Sequence, residues 1–165
     1  MTGIKELLTQ LKTGKPQRAA VAAAASATVL KSVAEAYRED IIQPILCGEK
    51  KEILEIASRE RIDLVNFEIV DVSEKECAKT AVSLVRSGQA DMLIKGNLHT
   101  SALLREVLKK ESGLRGNGIL SHVGILKSGD FRKTFLITDA GLNMYPDLEM
   151  KVHLIENAVK AAKGI

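Results

Sequence analysis

At 165 residues the chain is long enough for one domain of ordinary size, and 45% hydrophobic with 27% charged residues is a globular balance. Aromatics make up only 3%, with no Trp, so the core must be aliphatic. A net charge of +3, with basic residues scattered and no aromatic interleaving, gives no footprint for nucleic acid, and the longest apolar run, Ala19–Ala25, is far too short to span a membrane.

Met1 to Lys12 reads as a short helix with Ile4, Leu7, Leu8 and Leu11 on one face, ended by Gly14 and Pro16. Arg18 to Ala24 is a small-residue apolar run, expected as a first buried strand although Ala crowding lowers β-propensity. Ser26 is placed to N-cap a helix through Arg38. Ile41 to Gly48 reads as a second strand, with Pro44 pointing to an edge position or a late start. A helix over 49–61 and a strand over 67–72 follow. Ser73 with Glu76 is spaced as a capping box for a helix to Gly88, itself placed as a C′ glycine. Asp91 to Lys95 is the fourth strand and Thr100 to Lys110 its helix.

Four strand–helix alternations with short connections predict an α/β fold of parallel-sheet βα layers covered on both faces. Ligands in such sheets bind beyond the carboxyl ends of the strands, where the Lys95–Ser101 loop falls. After Glu111 the pattern changes. Gly113, Gly116 and Gly118 form a flexible, turn-rich passage. Residues 119–127 and 134–138 read as two strands joined at Ser128-Gly129-Asp130, and a last helix runs from Asp147 to Lys163. The expected division is 1–117, an α/β domain with an anion-binding loop, and 118–165, the start of a second, incomplete α/β domain. Gly164-Ile165 reads as the lead into another strand, so the sequence looks as if it continues.

The segment ADMLIKGNLHTSALLREVLKKE carries the clearest chemistry. A strand ends at Lys95-Gly96, and Thr100-Ser101 opens a helix carrying Arg105. Free N–H groups at a helix start, with hydroxyls and cations beside them, suit phosphate or another oxyanion. The same residues also fit a plain helix cap with solvated cations. Arg115, among glycines, fits either a mobile anion clamp or a solvated loop residue. His122 is on the opposite strand face from Ser121, which argues against a Ser–His nucleophile pair. Asp139, closing a strand, fits either a ligand contact or an Asx turn. Cys47 and Cys77 read as reduced, buried thiols, and His99, His122 and His153 show no metal-ligand spacing with them, so no metal is expected. No P-loop, Rossmann fingerprint, GxSxG or HExxH is present. The amino terminus lacks a signal peptide's apolar core, which suggests a cytoplasmic protein.

Read together, AAVAAAASATVLKSVAEA, IIQPILCGEKKEILEIA, ADMLIKGNLHTSALLREVLKKESGLR, ILSHVGILK and FLITDAGLNMYPDLEMKVHLIENAV resemble the phosphate acetyl/butyryltransferase family in order and spacing. The likeness is strongest to its butyryl-transferring branch. It implies the isocitrate-dehydrogenase-like two-domain architecture, here truncated in the second domain, with an active site in the cleft. It implies acyl transfer between coenzyme A and inorganic phosphate, with coenzyme A as substrate, no bound cofactor and no metal. By resemblance, Thr100 and Ser101 help hold phosphate and Arg105 stands near CoA or phosphate. Lys95, Gly96, Ser121 and Asp139 fall in matching cleft segments. Family members are about twice as long, so the catalytic base is expected outside this chain. The expected partners are a CoA thioester, phosphate or acyl phosphate, and a second copy or a complementary carboxyl-terminal half. Two other activities stay open: a non-catalytic CoA or phosphometabolite binder, and a phosphate:acyl-carrier-protein acyltransferase.

Overall fold

A computed structural model describes Thr9 and residues 14–116, 118–127 and 134–164. The expected amino-terminal helix and the Ser128-Gly129-Asp130 turn lie outside the described residues. Those residues divide into two compact units, one spanning Gly14–Arg115 and the other taking the remainder.

The larger unit is built on β1 (Gln17–Ala22), β2 (Ile42–Gly48), β3 (Glu68–Asp71) and β4 (Met92–Lys95), all parallel, in the order β3-β2-β1-β4. Its helices are α1 (Ala27–Arg38), α2 (Lys50–Glu60), α3 (Glu74–Arg86) and α4 (Thr100–Val107). Side chains of β1 alternate between two cores. Ala19 and Val21 meet Leu30 and Val33 of α1 and Ile53 and Ile56 of α2 on one face. Ala20 and Ala22 meet Ala78, Ala81 and Val82 of α3 and Leu103 of α4 on the other. Both faces of the sheet are therefore covered, and Ala19 to Ala22 are fully buried. Burial on two sides overrides the weak β-propensity of alanine.

Pro44 corrects one expectation: β2 is an interior strand and begins before the proline. The Cys47 carbonyl accepts from Ala24 on the β1 side, and the Gly48 carbonyl accepts from Val72 on the β3 side. In a parallel strand successive residues alternate sides, so Pro44, two pairs before Gly48, turns its missing N–H toward β3. The β3 ladder begins only opposite Ile45. No ladder bond is lost.

Helix ends differ in detail from their sequence signals. Ser26 and Ser73 stand at N-cap positions without side-chain caps. The Ser73 hydroxyl instead donates to the Glu76 carboxylate at 3.0 Å, so the two side chains bond to each other in place of the side-chain-to-amide bonds of a capping box. The first amide of α2, Lys50, is capped from the end of β3 by Asp71 at 2.8 Å. Gly88 takes the left-handed conformation expected of a C′ residue, with φ 74°. Helix α4 ends at Val107 rather than Lys110. Gly113, expected in a flexible passage, is buried, and an added Cβ would stand 2.4 Å from the Val107 carbonyl oxygen. Arg86 holds its carbonyl at 2.8 Å.

The smaller unit contains β5 (Val123–Lys127) and β6 (Thr134–Thr138), paired antiparallel, and α5 (Leu148–Lys163). Asp147 caps α5 by accepting from Met150 at 2.8 Å. Leu154 is its buried anchor, and Asn157 donates to the Ile119 carbonyl and to Ser121 Oγ. No described helix is long and apolar enough to cross a membrane.

Cys47 and Cys77 are both free and buried. Burial, with the nearby Cys77 and Glu68, pushes the Cys47 thiol up to about 12, and burial also raises Cys77. Since the thiolate is the reactive form, neither thiol of the native protein should react with Ellman's reagent at pH 8. Both should react in denaturant. Rapid labelling of the native chain would contradict this packing.

Candidate anion site

The strand order places a topological switch point between β1 and β4, because the chain runs outward from β1 to β3 and then returns to β1's other side. At such a point the loops leaving adjacent strands part and open a crevice. The two exits here are Ala23–Ser26 after β1 and Gly96–His99 after β4.

The exits are stitched together by backbone. Gly96 donates to the Ala22 carbonyl and Asn97 to the Ala23 carbonyl, both at 2.8 Å. Ala23 is held in the left-handed region at φ 57°, a costly conformation for a residue with a Cβ. An added Cβ on Gly96 would meet the Ala23 oxygen at 2.3 Å and the Ala22 oxygen at 2.5 Å. The glycine is thus required for packing against the β1 exit, and its amide is spent there rather than aimed at a ligand. Lys95 turns back over the same loop, donating from Nζ to the Leu98 carbonyl at 3.0 Å and to the Gly96 carbonyl at 3.4 Å.

Helix α4 starts one residue earlier than a Thr100 cap would place it, since His99 is the N-cap. Ala102 and Leu103 both donate to the His99 carbonyl. Thr100 and Ser101 therefore occupy the first helical positions, where N–H groups have no intrahelical acceptor. Both are exposed.

A cavity of about 600 Å³ opens between α4 and α3, lined among others by Lys75, Asn97, His99, Ala102 and Arg105. Ala102 and Arg105, three residues apart, share the helix face that forms its wall. The Arg105 guanidinium makes no ion pair among the described residues, whereas the neighbouring Glu106 is held by Lys109 at 2.6 Å. A smaller hollow of about 160 Å³ shares Asn97 and Glu74 and reaches Ala23 and Gly48 at the strand ends and Cys77 of α3. The structure thus brings Arg105 together with Lys75, Asn97 and His99; Thr100 and Ser101 stand at the helix start but not in the cavity wall. Sequence reasoning missed Lys75 because it comes from the preceding helix, and no local motif marks it. Asn97 and His99 sat in plain view inside the loop.

Arg115 is exposed at the end of the larger unit. Ser121 and Asp139 belong to the smaller unit. Ser121 Oγ accepts from Asn157 at 3.0 Å. Asp139, at φ 55°, accepts from the backbone amides of Asn143 at 2.8 Å and His122 at 3.4 Å. Desolvation works against its charge but is outweighed by Asn143, first through its side chain and then its amide, and by His122. The carboxyl is held below its ordinary 3.8. Among the described residues no three His, Cys, Asp or Glu side chains gather where they could hold a metal ion.

The sequence profile of the family described as "Phosphate acetyl/butaryl transferase" matches residues 3–80 and 75–165. The chain belongs to this family. The phosphate butyryltransferase of Clostridium beijerinckii is 42% identical over 158 residues, which cover 95% of this chain and 52% of that protein. The phosphate acetyltransferase of Thermotoga maritima is 34% identical over 95% of this chain and 53% of its own length. The chain spans about half the length of these relatives. A branched-chain phosphotransacylase from Enterococcus faecalis superposes with a TM-score of 0.72 at 32% identity, over 89% of this chain and 51% of that one. A phosphotransacetylase from Streptococcus pyogenes shares the fold with a TM-score of 0.82 at 17% identity, over 98% and 59%.

Two outcomes test the geometry. Gly96→Ala should cost about 3 kcal/mol or more, since two backbone oxygens block the new methyl and cannot rotate away. Chemical denaturation read by circular dichroism checks this, and a loss of less than about 0.5 kcal/mol would mean the exits can part freely. Asp139 has a depressed folded pKa, so its stabilising contribution is present above about pH 4 and fades as pH falls through the folded value. Its carboxyl, followed by NMR, should titrate below 3.8, and Asn143→Ala should move that midpoint upward.

Proposed function

We propose that this chain is the anion-gripping half of a phosphate acyltransferase that moves a butyryl or acetyl group between coenzyme A and inorganic phosphate. The observation that carries the reading is the cavity between α3 and α4 beside the β4 exit, which has Arg105 in its wall and the start of α4 at its rim. Family membership supports it. Coenzyme A is a substrate here, with no bound cofactor, and the working place is the cytoplasm, without nucleic acid or membrane. Residues 1–117 act as the anion-binding domain, and 118–165 begin a second one.

In this reading the CoA thiolate attacks the carbonyl carbon of an acyl phosphate. A C–S bond forms, the electron pair of the breaking C–O bond leaves on phosphate, and the reverse direction has phosphate oxygen attacking the thioester. Both reactants are anions, so bringing them together in register supplies much of the rate. Arg105 would offset charge on the phosphate while it leaves or attacks, aided by the Thr100 and Ser101 hydroxyls and amides. Lys95 holds the loop closed and adds positive potential. Gly96 sets the approach of the loop to β1. Arg115, Ser121 and Asp139 complete the proposed binding set, the last two by shaping the loops of the smaller unit. A thiol with an ordinary pKa near 8.5 benefits from a base, which belongs to the remaining half.

The half-length match favours a second reading, in which this chain alone binds CoA or a phosphorylated metabolite without turnover. A phosphate:acyl-carrier-protein acyltransferase differs only in its acyl carrier. Calorimetric titration of the chain with inorganic phosphate, acetyl phosphate and CoA should show binding that Arg105→Ala removes while the far-ultraviolet spectrum is unchanged. Turnover of butyryl-CoA with phosphate, in any assembly that is active, should fall about 100-fold or more in the same variant. Failure to bind all three ligands would sink the proposal.

A further inference from the structure

Another cavity of the larger unit, of about 460 Å³, lies at the end of the sheet opposite the anion site. Helices α1 and α2 leave the carboxyl ends of β1 and β2 and return toward the amino ends of the next strands, so their last turns stand there. The cavity is lined by Glu35, Tyr37 and Arg38 of α1, by Arg61 at the end of α2, and by the loop that enters β3. Phe67 of that loop is buried and meets the Tyr37 ring edge-on, with centroids 5.0 Å apart. Val65 also lines the cavity yet is 85% exposed. Its amide donates to the Asp63 carboxylate at 2.9 Å, which fixes the bend that presents it.

The polar groups divide into those already spent and those left over. Lys31 and Glu60 pair at 2.7 Å across the two helices. Arg38 donates from Nε to the Ala34 carbonyl at 3.3 Å, which leaves its two terminal nitrogens. Among the described residues the Arg61 guanidinium has no partner, and neither has the Glu35 carboxylate or the Tyr37 hydroxyl. Arg61 is moreover held in the left-handed region at φ 56°, a helix end that glycine fills at least cost.

We infer that this cavity binds a nucleoside 5′-phosphate, with the phosphate on Arg38 and Arg61, the ribose hydroxyls on Glu35 and the base against Tyr37 and Val65. Two guanidiniums from different elements suit a dianion, because each fork matches a pair of phosphate oxygens. The carboxyl ends of α1 and α2 work against an anion, but that effect is screened at an exposed site and is weaker than charge-assisted bonds from two arginines. A free carboxylate in the same cavity calls for donors, which ribose hydroxyls supply. An aromatic ring and an exposed valine call for a flat apolar body. Inorganic phosphate meets only the first of these demands and leaves most of the space empty. An amino acid brings a single carboxylate to two guanidiniums.

The test is titration of the 165-residue chain with AMP and with UMP, followed by NMR of the backbone amides. At least one nucleotide should shift residues 34–38 and 60–67 and leave 96–105 in place. Adenosine, ribose 5-phosphate and inorganic phosphate should each bind about tenfold or more weakly, since each lacks part of the recognised group. Arg38→Ala and Arg61→Gly, the latter suited to the left-handed backbone, should each weaken the nucleotide about tenfold or more with the circular dichroism spectrum unchanged. Val65→Asp, at an exposed position, should weaken it as well. The inference is overturned if neither nucleotide shifts these amides at millimolar concentration, if inorganic phosphate binds as tightly, or if both arginine variants keep the affinity. Arg105→Ala should leave nucleotide binding untouched, so the acyl-transfer reading and this one fail separately. A loss of nucleotide binding in that variant would move the ligand to the cavity between α3 and α4 and overturn the assignment.

Discussion

The larger unit rests on a backbone-to-backbone contact between two strand exits. Gly96 and Asn97 donate to the carbonyls of Ala22 and Ala23, and the contact is so close that no side chain fits at 96. Three local features follow from it. Ala23 accepts a left-handed conformation, Lys95 folds back over the loop carbonyls, and the chain reaches His99 in an extended conformation, φ −63° and ψ 135°, from which α4 starts. The site is therefore positioned by hydrogen bonds of the main chain. Side chains in its wall can vary without moving the frame that holds them.

That division of labour explains why the loop's own amides do not serve the cavity, whose polar lining is side chains. The loop amides at 96 and 97 satisfy β1, and Lys95 satisfies the loop. The groups left for a ligand come from α3 and α4: Lys75, the His99 ring and the Arg105 guanidinium. Two acids, Glu74 and Glu106, line the same space, and Glu106 is already neutralised by Lys109. On the proposed reading, a multiply charged phosphate gains from Arg105 and Lys75 what an unlined helix start could not supply, since a helix terminus alone contributes about 1 kcal/mol or less when exposed.

How much of this was legible in the sequence depends on whether a feature is local. Strand and helix periodicities found every element of the larger unit, because amphipathic spacing is a property of neighbouring residues. Gly88 was legible for the same reason. Pro44 was not, since whether its missing N–H matters is decided by where β3 begins, some twenty residues on. Gly113 looked mobile beside other glycines, yet its place is fixed by Val107 and Arg86. The cap of α4 fell to His99 because the preceding loop is pulled toward β1, which outweighs the capping preference of Thr100 or Ser101. Arg105 was found because it lies on the helix that the motif opens. Lys75 was not, because it reaches the cavity from another helix.

The two units differ in how far each satisfies itself. In the larger one, β1 is sealed by helices on both faces and every strand end is tied to a loop. In the smaller one, polar needs are met and apolar ones are not. Asp139, Asn143 and Asn157 fasten the loops around β5 and β6 through five hydrogen bonds, while a helix stripe and a sheet face stay open to water. Hydrogen bonds of this kind fix local geometry but contribute only about 1 kcal/mol each in net stability. Burying a single Leu, Ile or Phe side chain is worth about 2 kcal/mol. The open side chains therefore represent more unrealised stabilisation than the polar network supplies.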